Sequence, residues 1–456
     1  MIDLSAAGTP NGSWFFAEGA VSGGANGFST YYLVQNPNPV PVTVRAYFSS
    51  DDGRLAAKVF TSPARSRLTL NLGAEMGQGA YGAVFQSLTP GSDISVERSM
   101  YFGPNLEVST GERGSRLATS QWIFAEGSRG GELFDNFFLI FNPNASAAGI
   151  DVYFRRADGI DIRRQYTIPA LRRITINAGE IPELAGQDFS MIMFASGGVV
   201  AERSMYWRRV GTVPGTPWIG GHVSLGSPGT SRQWFFAEGA ASPGFETFYL
   251  IVNPYSTPIS VSVNFFTEFA GIVNRVYVIP GSSRFTVYLN QEVGNVGGAA
   301  AQFWSATPFV AERSIYWGLG RVDGTNTAGV VETAGQWNLP EGIAGSQFET
   351  FLLLANPWGI PSVVDISVQI EGYGQVTLPA AQRKTVPAQG RLTIYMPQLL
   401  RELEVAEGVP PGTFNASFST VVRVWSGAAI VAEHAVYWQR DGSNYWRAGT
   451  AAFGTH

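Results

Sequence analysis

Trp234-Phe-Phe-Ala-Glu-Gly239 opens a pattern that this chain of 456 residues carries four times. Equivalent openings stand at 14–19, 122–127 and 337–342, so successive opening tryptophans lie 108, 112 and 103 residues apart. A period near 110 residues is too long for a helical solenoid and suits a whole small domain. The repeat therefore predicts four tandem domains, which we call units 1 to 4.

Motif positions place the units at 1–107, 108–218, 219–324 and 325–456. Each unit runs from its opening motif through an Asn-Pro pair to a Glu-containing closing strand, such as Ala201-Glu-Arg-Ser-Met-Tyr-Trp207. Segments rich in Gly, Ser, Thr and Pro join the units, and Trp218 and Leu225 give one of them apolar groups to bury. We therefore expect ordered joints.

Within a unit, apolar or alternating segments recur between turn signals, a pattern typical of an all-β sandwich. In unit 1 strands are predicted at about 13–18, 28–36, 41–49, 55–61, 66–72, 81–88 and 93–102. The fold class is all-β, with four immunoglobulin-like β-sandwiches joined into a rod or an arc. A closed pseudo-fourfold ring is the alternative. Helix is expected as a local insertion near 397–405 of unit 4, which starts at Pro397.

Composition excludes several classes of function. Charged residues make up 14% of the chain, against about 25% in typical soluble proteins. The net charge is −5 and no basic block is present, which argues against nucleic-acid binding. The chain has no cysteine, which excludes disulfides and thiolate zinc sites. No apolar run is long enough for a membrane span.

The two ends of the chain bear on its location. Met1-Ile-Asp-Leu-Ser lacks the basic and apolar regions of a signal peptide. The segment 446–454 resembles the joint at 218–226, as it would in a piece of a longer array. We therefore expect a segment of an extracellular or cell-surface protein.

Ionisable residues recur at three places in the unit: a Glu after the opening aromatics, a Glu-Arg pair in the closing strand, and an Arg in the strand that begins Ser66-Arg in unit 1, the Ser-Arg strand. Two carboxylates could serve a glycosidase, but no unit-specific His, Asp or Lys accompanies them. Neighbours in a strand face opposite ways, so one of Glu202 and Arg203 must meet apolar residues, where an unpaired charge costs several kcal/mol. We predict structural ion pairs between each opening Glu and an Arg of the closing or Ser-Arg strand. The candidates are Glu18, Arg67, Glu97, Arg98, Glu126, Arg173, Glu202, Arg203, Glu238, Arg284, Glu312, Arg313, Glu341, Arg391 and Glu433.

Other chemical signatures are weak. His222, His434 and His456 are too scattered in sequence to indicate a zinc set. The chain has no G-x-S-x-G elbow and no P-loop. Asp51-Asp-Gly53 fits a hairpin turn better than a calcium loop. No catalytic residue, metal ligand or cofactor is assigned.

Aromatic side chains offer a route to ligand binding. Most tryptophans lie at core periodicity, but Trp304, Trp358 and Trp425 are unit-specific. Trp358 follows the turn at Asn356-Pro357, so we expect it to be the most exposed and a candidate for stacking on a sugar.

The phrases W-F-F-A-E-G, F-x-T-[YF]-Y-L-x-x-N-P and V-A-E-R-S-M-Y-W, in this order, resemble a tandem β-repeat of uncharacterised secreted or surface bacterial proteins. Unit 4 departs most, with Asn338-Leu-Pro in its opening and His434 in place of Arg. The resemblance implies a location and an architecture, and it supplies no catalytic residue.

The sequence thus predicts a non-enzymatic structural or adhesive segment, whose partners are copies of itself or other surface components. Assembly into a filament or layer stays open. The alternatives are a carbohydrate-binding module and, more remotely, a glycan-active enzyme.

Overall fold

A computed structural model describes residues 12–24, 27–103, 107–130, 133–208, 217–345, 347–440 and 446–456. The start of the chain, where no signal peptide was found, and residues 209–216 of one joint lie outside the described residues. In the described part, none of the helices combines the length and apolar character needed to span a membrane.

Unit 1 folds as two antiparallel sheets that enclose an apolar core with Tyr32, Phe48 and Phe85 at its centre. One sheet has the order β1-β7-β4-β5 and the other β6-β3-β8-β9. The elements are β1 (Ser13–Phe16), β2 (Ala20–Val21), β3 (Phe28–Asn36), β4 (Val42–Ser50), β5 (Leu55–Ser62), β6 (Ser66–Asn71), α1 (Leu72–Met76), β7 (Gly79–Ser87), β8 (Ser95–Phe102) and β9 (Val108–Arg113).

Units 2 and 3 repeat this plan, with their last two sandwich strands fused into one. The elements of unit 2 are β10 (Thr119–Phe124), β11 (Phe134–Asn142), β12 (Ala148–Arg156), β13 (Asp161–Ile168), β14 (Arg172–Asn177), 3-10 turns (Ala178–Glu180 and Pro182–Leu184), β15 (Phe189–Trp207) and β16 (Gly220–Leu225). Those of unit 3 are β17 (Ser231–Phe236), β18 (Ala240–Ala241), β19 (Phe245–Asn253), β20 (Ile259–Thr267), β21 (Ile272–Ile279), β22 (Ser283–Tyr288), α2 (Leu289–Val293), β23 (Gly297–Trp317) and β24 (Asp323–Ala328).

Unit 4 contains the helix expected near 397–405, which buries Leu399, Leu400 and Leu403. Its elements are β25 (Gln336–Leu339), β26 (Phe348–Asn356), β27 (Ser362–Ile370), β28 (Gly374–Thr377), a 3-10 turn (Ala380–Gln382), β29 (Lys384–Val386), β30 (Gly390–Tyr395), α3 (Met396–Glu407), β31 (Phe418–Ser426), β32 (Val431–Arg440) and β33 (Trp446–Phe453).

The predicted all-β sandwich is confirmed, and the strands predicted for unit 1 agree with those observed to within two residues. The strand order has one distinctive feature. In the constant-type immunoglobulin order the first strand pairs with the second, whereas here β1 pairs with β7 and β8 pairs with β3. Consecutive strands β7 and β8 therefore lie in opposite sheets, which allows their counterparts to merge into β15 and β23.

The Asn-Pro pair forms a hydrogen-bonded corner. Asn142 Nδ2 donates to the carbonyl oxygens of Ser146, Ile168 and Pro169 at 2.8, 3.2 and 3.1 Å. Its Oδ1 accepts from the amide of Asn144 at 3.0 Å. The buried side-chain amide thus links the end of one strand to the neighbouring hairpin. These hydrogen bonds, in addition to the tendency of Asn to form turns, explain why Asn recurs at this position. Equivalent corners are built on Asn36, Asn253 and Asn356.

The four units close into a ring. Strand β16 lies against β9, β24 against β16, β33 against β24, and β9 against β33, so these four axial strands surround a common axis. Direct bonds also join unit 1 to unit 4, including Gln35 Nε2 to Gln369 Oε1 at 3.2 Å and Ser95 Oγ with Thr455 Oγ1 at 2.6 Å. The rod or arc is therefore wrong, and the ring alternative is correct.

The physical reason lies in the joints. Each joint continues as an axial strand that pairs with the closing strand before it, as β9 does with β8 and β16 with β15. Hydrogen bonding thus places each axial strand with the preceding unit. The boundaries at 107/108 and 218/219 assign β9 and β16 to the following unit instead, and the boundary at 324/325 divides β24.

Close packing at the axis explains the glycines of the joints. A Cβ added to one glycine in each of three axial strands would come within 2.8 Å of the tyrosine ring opposite it. Such a contact is too short for any side chain to fit without a shift. The pairs are Gly221 with Tyr206, Gly324 with Tyr316 and Gly449 with Tyr437.

Candidate functional site: the buried ion network between units

The closing strand supplies charge to two joints at once. Adjacent residues of a strand point to opposite faces. In β15, Glu202 reaches the opening strand of unit 1, whereas Arg203 reaches Glu126 of its own unit and Glu312 of unit 3. Each closing strand therefore gives an acid to the joint before it and a base to the joint after it.

The joint between units 2 and 3 shows the full arrangement. Arg203 Nη1 lies 2.9 Å from Glu312 Oε2, and its Nη2 lies 2.9 Å from Glu126 Oε2. Nη1 also donates to the backbone carbonyl of Glu126 at 2.7 Å. The second oxygen of Glu312 accepts from the amide of Ala125 at 2.5 Å. All three charged side chains are buried, so a guanidinium group is clamped between carboxylates from two units.

The joint between units 3 and 4 repeats these contacts. Arg313 lies 2.7 Å from Glu433 and 3.2 Å from Glu238, and the amide of Ala237 donates to Glu433 at 2.6 Å. Tyr437 adds a bond from its hydroxyl to Glu238 at 3.1 Å.

The joint between units 1 and 2 keeps the bridge across the units. Arg98 lies 2.5 Å from Glu202, whose other oxygen accepts from the amide of Ala17 at 2.8 Å. Arg98 donates to the backbone carbonyl of Glu18 at 2.9 Å, and the hydroxyl of Ser204 donates to the Glu18 carboxylate at 3.1 Å.

The joint that closes the ring, between units 4 and 1, is built differently. Pro340 stands where the other openings have Ala, so it has no amide hydrogen to donate, and Glu97 Oε2 accepts from the amide of Glu341 at 3.1 Å. His434 replaces the arginine, with its Nε2 at 3.2 Å from Glu97 Oε1 and 3.7 Å from Glu341 Oε2. The Ser99 hydroxyl donates to the second oxygen of Glu341.

Arginines of the Ser-Arg strands have another role. Three of them reach acids of the preceding unit, at 2.5, 3.2 and 3.6 Å, rather than the opening glutamate of their own unit. Arg173 donates to Thr175 Oγ1 at 3.0 Å. The sequence left two possible partners for each opening glutamate, the arginine of the closing strand and that of the Ser-Arg strand. In units 2 and 3 the partner is the closing-strand arginine. The three pairs are Arg67 with Glu371, Arg284 with Asp188 and Arg391 with Glu268.

The sequence did not indicate two buried acidic residues on the axial strands, Asp323 and Glu112. Asp323 accepts from the amides of Gly221 and Gly449 at 3.2 and 3.1 Å, so it links three axial strands. Glu112 accepts from the amide of Leu225 at 2.9 Å. Each acid occurs in one unit alone, so the repeat gave no signal for it.

Burial and neighbouring charge shift the pKa values of these groups in opposite directions. Burial raises the pKa of Glu202 and of Glu312, although a nearby guanidinium opposes the shift in each case. Burial lowers the pKa of His222 to about 4, so its imidazole is neutral at neutral pH. Burial also acts to lower the pKa of His434, but the adjacent Glu97 and Glu341 outweigh it and raise that pKa to about 10.

The burial and the bonding of the recurring glutamates do not suit glycoside hydrolysis. A glycosidase needs two carboxylates that a sugar can reach from either side of the scissile bond. The opening and closing glutamates are at most 5% exposed. In the joint between units 2 and 3 and in that between units 3 and 4, cations and backbone amides already bind their oxygens. What this network does is hold one unit against the next.

The three unit-specific tryptophans lie at the surface. Trp358 is 39% exposed, Trp304 51% and Trp425 62%. The expectation that Trp358 is the most exposed of them is wrong, because its ring lies against Phe235 of unit 3, with 6.5 Å between ring centroids. The guanidinium of Arg383 lies 3.7 Å from the centroid of the Trp425 ring.

Comparison with known proteins gives no family for this chain. No protein-family model matches it, and no curated protein matches it. Among solved structures, Thermotoga maritima 1070 is 15% identical, with 24% of this chain and 94% of that chain covered and a TM-score of 0.21. The Anabaena sensory rhodopsin transducer is 18% identical, with 18% and 92% covered and a TM-score of 0.16.

A tetra-tandem repeat from the extending region of a large adhesion protein is 11% identical, with 94% of this chain and 95% of that chain covered and a TM-score of 0.11. All three scores are too low to support an inference about this chain.

Replacing Arg203 with Met tests the network. The change leaves Glu126 and Glu312 buried without their cation, which should lower the free energy of unfolding by about 3–5 kcal/mol. Denaturant unfolding measures the effect. The matched control is Arg163→Met, which removes a surface pair with Asp151 and should cost less than about 1 kcal/mol. Equal losses in the two variants would show that the buried network does not stabilise the ring.

Glu112 predicts a pH dependence of stability. Burial raises its pKa from 4.5 to about 7, so between these values the folded protein holds a proton that the unfolded chain has released. Stability therefore falls as pH rises through this window, by roughly 3 kcal/mol in total. Glu112→Gln keeps an acceptor for Leu225 and cannot ionise, so its unfolding free energy should fall less from pH ~5 to ~8. Parallel profiles of the two proteins in urea would refute the assignment.

Proposed function

We propose that this chain is a non-enzymatic structural or adhesive element of a bacterial extracellular or cell-surface protein. The proposal rests on where the recurring ionisable residues make their contacts. In every joint, a buried base of one closing strand pairs with the acid of the next closing strand, so the chemistry repeated through the chain is the chemistry of assembly.

Rigidity follows from this construction. Separating two units would expose or unpair a guanidinium and its carboxylates, and an unpaired buried charge costs several kcal/mol. Because the four joints form a closed circle, one joint cannot open without straining the others. Such a ring resists bending, which suits a load-transmitting or ligand-presenting part of a cell exterior.

The surface that remains for association lies at the periphery. Each axial strand already packs against its two neighbours around the ring. We therefore do not propose that copies of the chain add end to end through the joints. Strands β5, β13 and β21 are the outer edges of their sheets. Strand β21 exposes Val276 and Val278 at 67% and 65%. An exposed apolar edge strand is a template for pairing with another chain, and we assign it to a second copy of this protein.

Sedimentation and electron microscopy at rising protein concentration test self-association. Replacing Val276 and Val278 together with Lys should weaken association at least about tenfold, because charge on an edge strand opposes pairing. The control is Val405→Lys, which places the same charge on helix α3 rather than on a strand, at a side chain that is 83% exposed. A chain that stays monomeric at every concentration, or equal losses in both variants, contradicts the edge-strand assembly.

Carbohydrate binding is a second candidate, favoured by the exposed ring of Trp304 and by the face of the Trp425 ring that Arg383 does not cover. Tryptophan presents a large apolar face beside a polar group, as sugar stacking requires. If a glycan array detects a ligand, Trp304→Ala or Trp425→Ala should abolish binding, while Trp358→Ala, whose ring packs on unit 3, should retain it. The absence of any glycan ligand, or loss of binding in Trp358→Ala alone, rejects stacking on these two rings.

A further inference from the structure

The ring-closing joint brings together three potential metal ligands that lie far apart in sequence. Glu97 comes from β8, Glu341 from the residues after β25, and His434 from β32. One ligand atom of each lies within 4.8 Å of those of the other two, and all three side chains are buried. We propose that Glu97, Glu341 and His434 bind a divalent transition-metal ion of the Zn²⁺ type, which fastens unit 4 to unit 1.

The separations between the ligand atoms are close to those of ligands around a bound ion. His434 Nε2 lies 3.2 Å from Glu97 Oε1 and 3.7 Å from Glu341 Oε2. A charge-assisted N–H···O bond is about 2.7–2.9 Å long. Ligands bound to zinc at about 2.0–2.2 Å in a tetrahedron stand about 3.3–3.6 Å apart. The corresponding arginine contacts in the other joints range from 2.5 to 3.2 Å, so the 3.7 Å separation from Glu341 is the one that exceeds them.

The hydrogen bonds around the cluster engage the other carboxylate oxygens and leave these atoms facing one another. The other oxygen of Glu97 accepts from the amide of Glu341, and the other oxygen of Glu341 accepts from Ser99. Among the described residues, Glu97 Oε1, Glu341 Oε2 and His434 Nε2 contact one another only as ion pairs, without a hydrogen bond of good geometry, and their residues are at most 2% exposed. Buried polar atoms without partners are costly, and carboxylates oriented by a second set of hydrogen bonds are typical of metal sites.

Charge and access agree with this assignment. A divalent ion displaces the proton that the two carboxylates hold on His434, and it neutralises both carboxylates in place of that proton. Neutral imidazole and carboxylate are ligands that zinc accepts, whereas the arginine of the other joints is not a ligand. A surface pocket of about 370 Å³ is lined by Glu341 of the cluster together with Ser99, Arg67 and Tyr101. This pocket provides a path to Glu341 for the ion and space for water as a further ligand.

Calorimetric titration of the chelator-treated full chain with Zn²⁺ tests the proposal, with Co²⁺ absorption as a spectroscopic probe. We expect one ion per chain and a rise in melting temperature on binding. His434→Arg installs the residue of the other three joints, so the variant should fold and lose the ion. Glu97→Gln removes a charged ligand and should weaken binding at least about tenfold.

The matched control is His222→Ala, which removes another buried histidine beside a glutamate, Glu126, and should leave binding unchanged. His456→Ala should likewise retain it, since that residue lies outside the cluster. No binding of Zn²⁺ or Co²⁺, or full binding by His434→Arg, would overturn the proposal and assign His434 the role of a cation that replaces arginine. If His434→Arg does not fold, undiminished binding by Glu97→Gln is equally decisive against the site.

Discussion

The guanidinium group clamped between carboxylates of two successive units is the contact on which the architecture depends. Bringing Arg203, Glu126 and Glu312 out of water is expensive, and the cost is offset only when every partner is in place. Such a contact contributes less to net stability than to correct alignment, because a shifted joint would leave a charge buried and alone. Apolar packing alone would tolerate more than one register at the joint.

The alternation of a β-strand makes this contact repeatable. In each closing strand the acid and the base are consecutive residues, so they face opposite ways and serve different joints. Each base of one unit pairs with the acid of the next unit, and the ring closes where the base of the last unit pairs with the acid of the first. With four units that meeting occurs between His434 and Glu97, and the local chemistry changes there because Pro340 and His434 replace the usual residues.

The axis departs from the symmetry of the repeat. Asp323 and Glu112 are buried acids without counterparts in the other units, and each binds backbone amides of a neighbouring axial strand. Burial raises the pKa of both. Individual residues at the centre thus distinguish the four quasi-equivalent positions, and they order the strands around the axis.

Local features of this protein follow from its sequence alone. Period-two alternation located the strands, Pro397 located the start of the helix, and charged residues among apolar neighbours indicated buried ion pairs. These inferences succeed because backbone geometry and desolvation act over a few residues. The partners of the charges, the axial strands and the ring were decided only by tertiary structure. Glu97 and His434 belong to opposite ends of the chain, and the packing of whole sheets, rather than any local preference, brings them together.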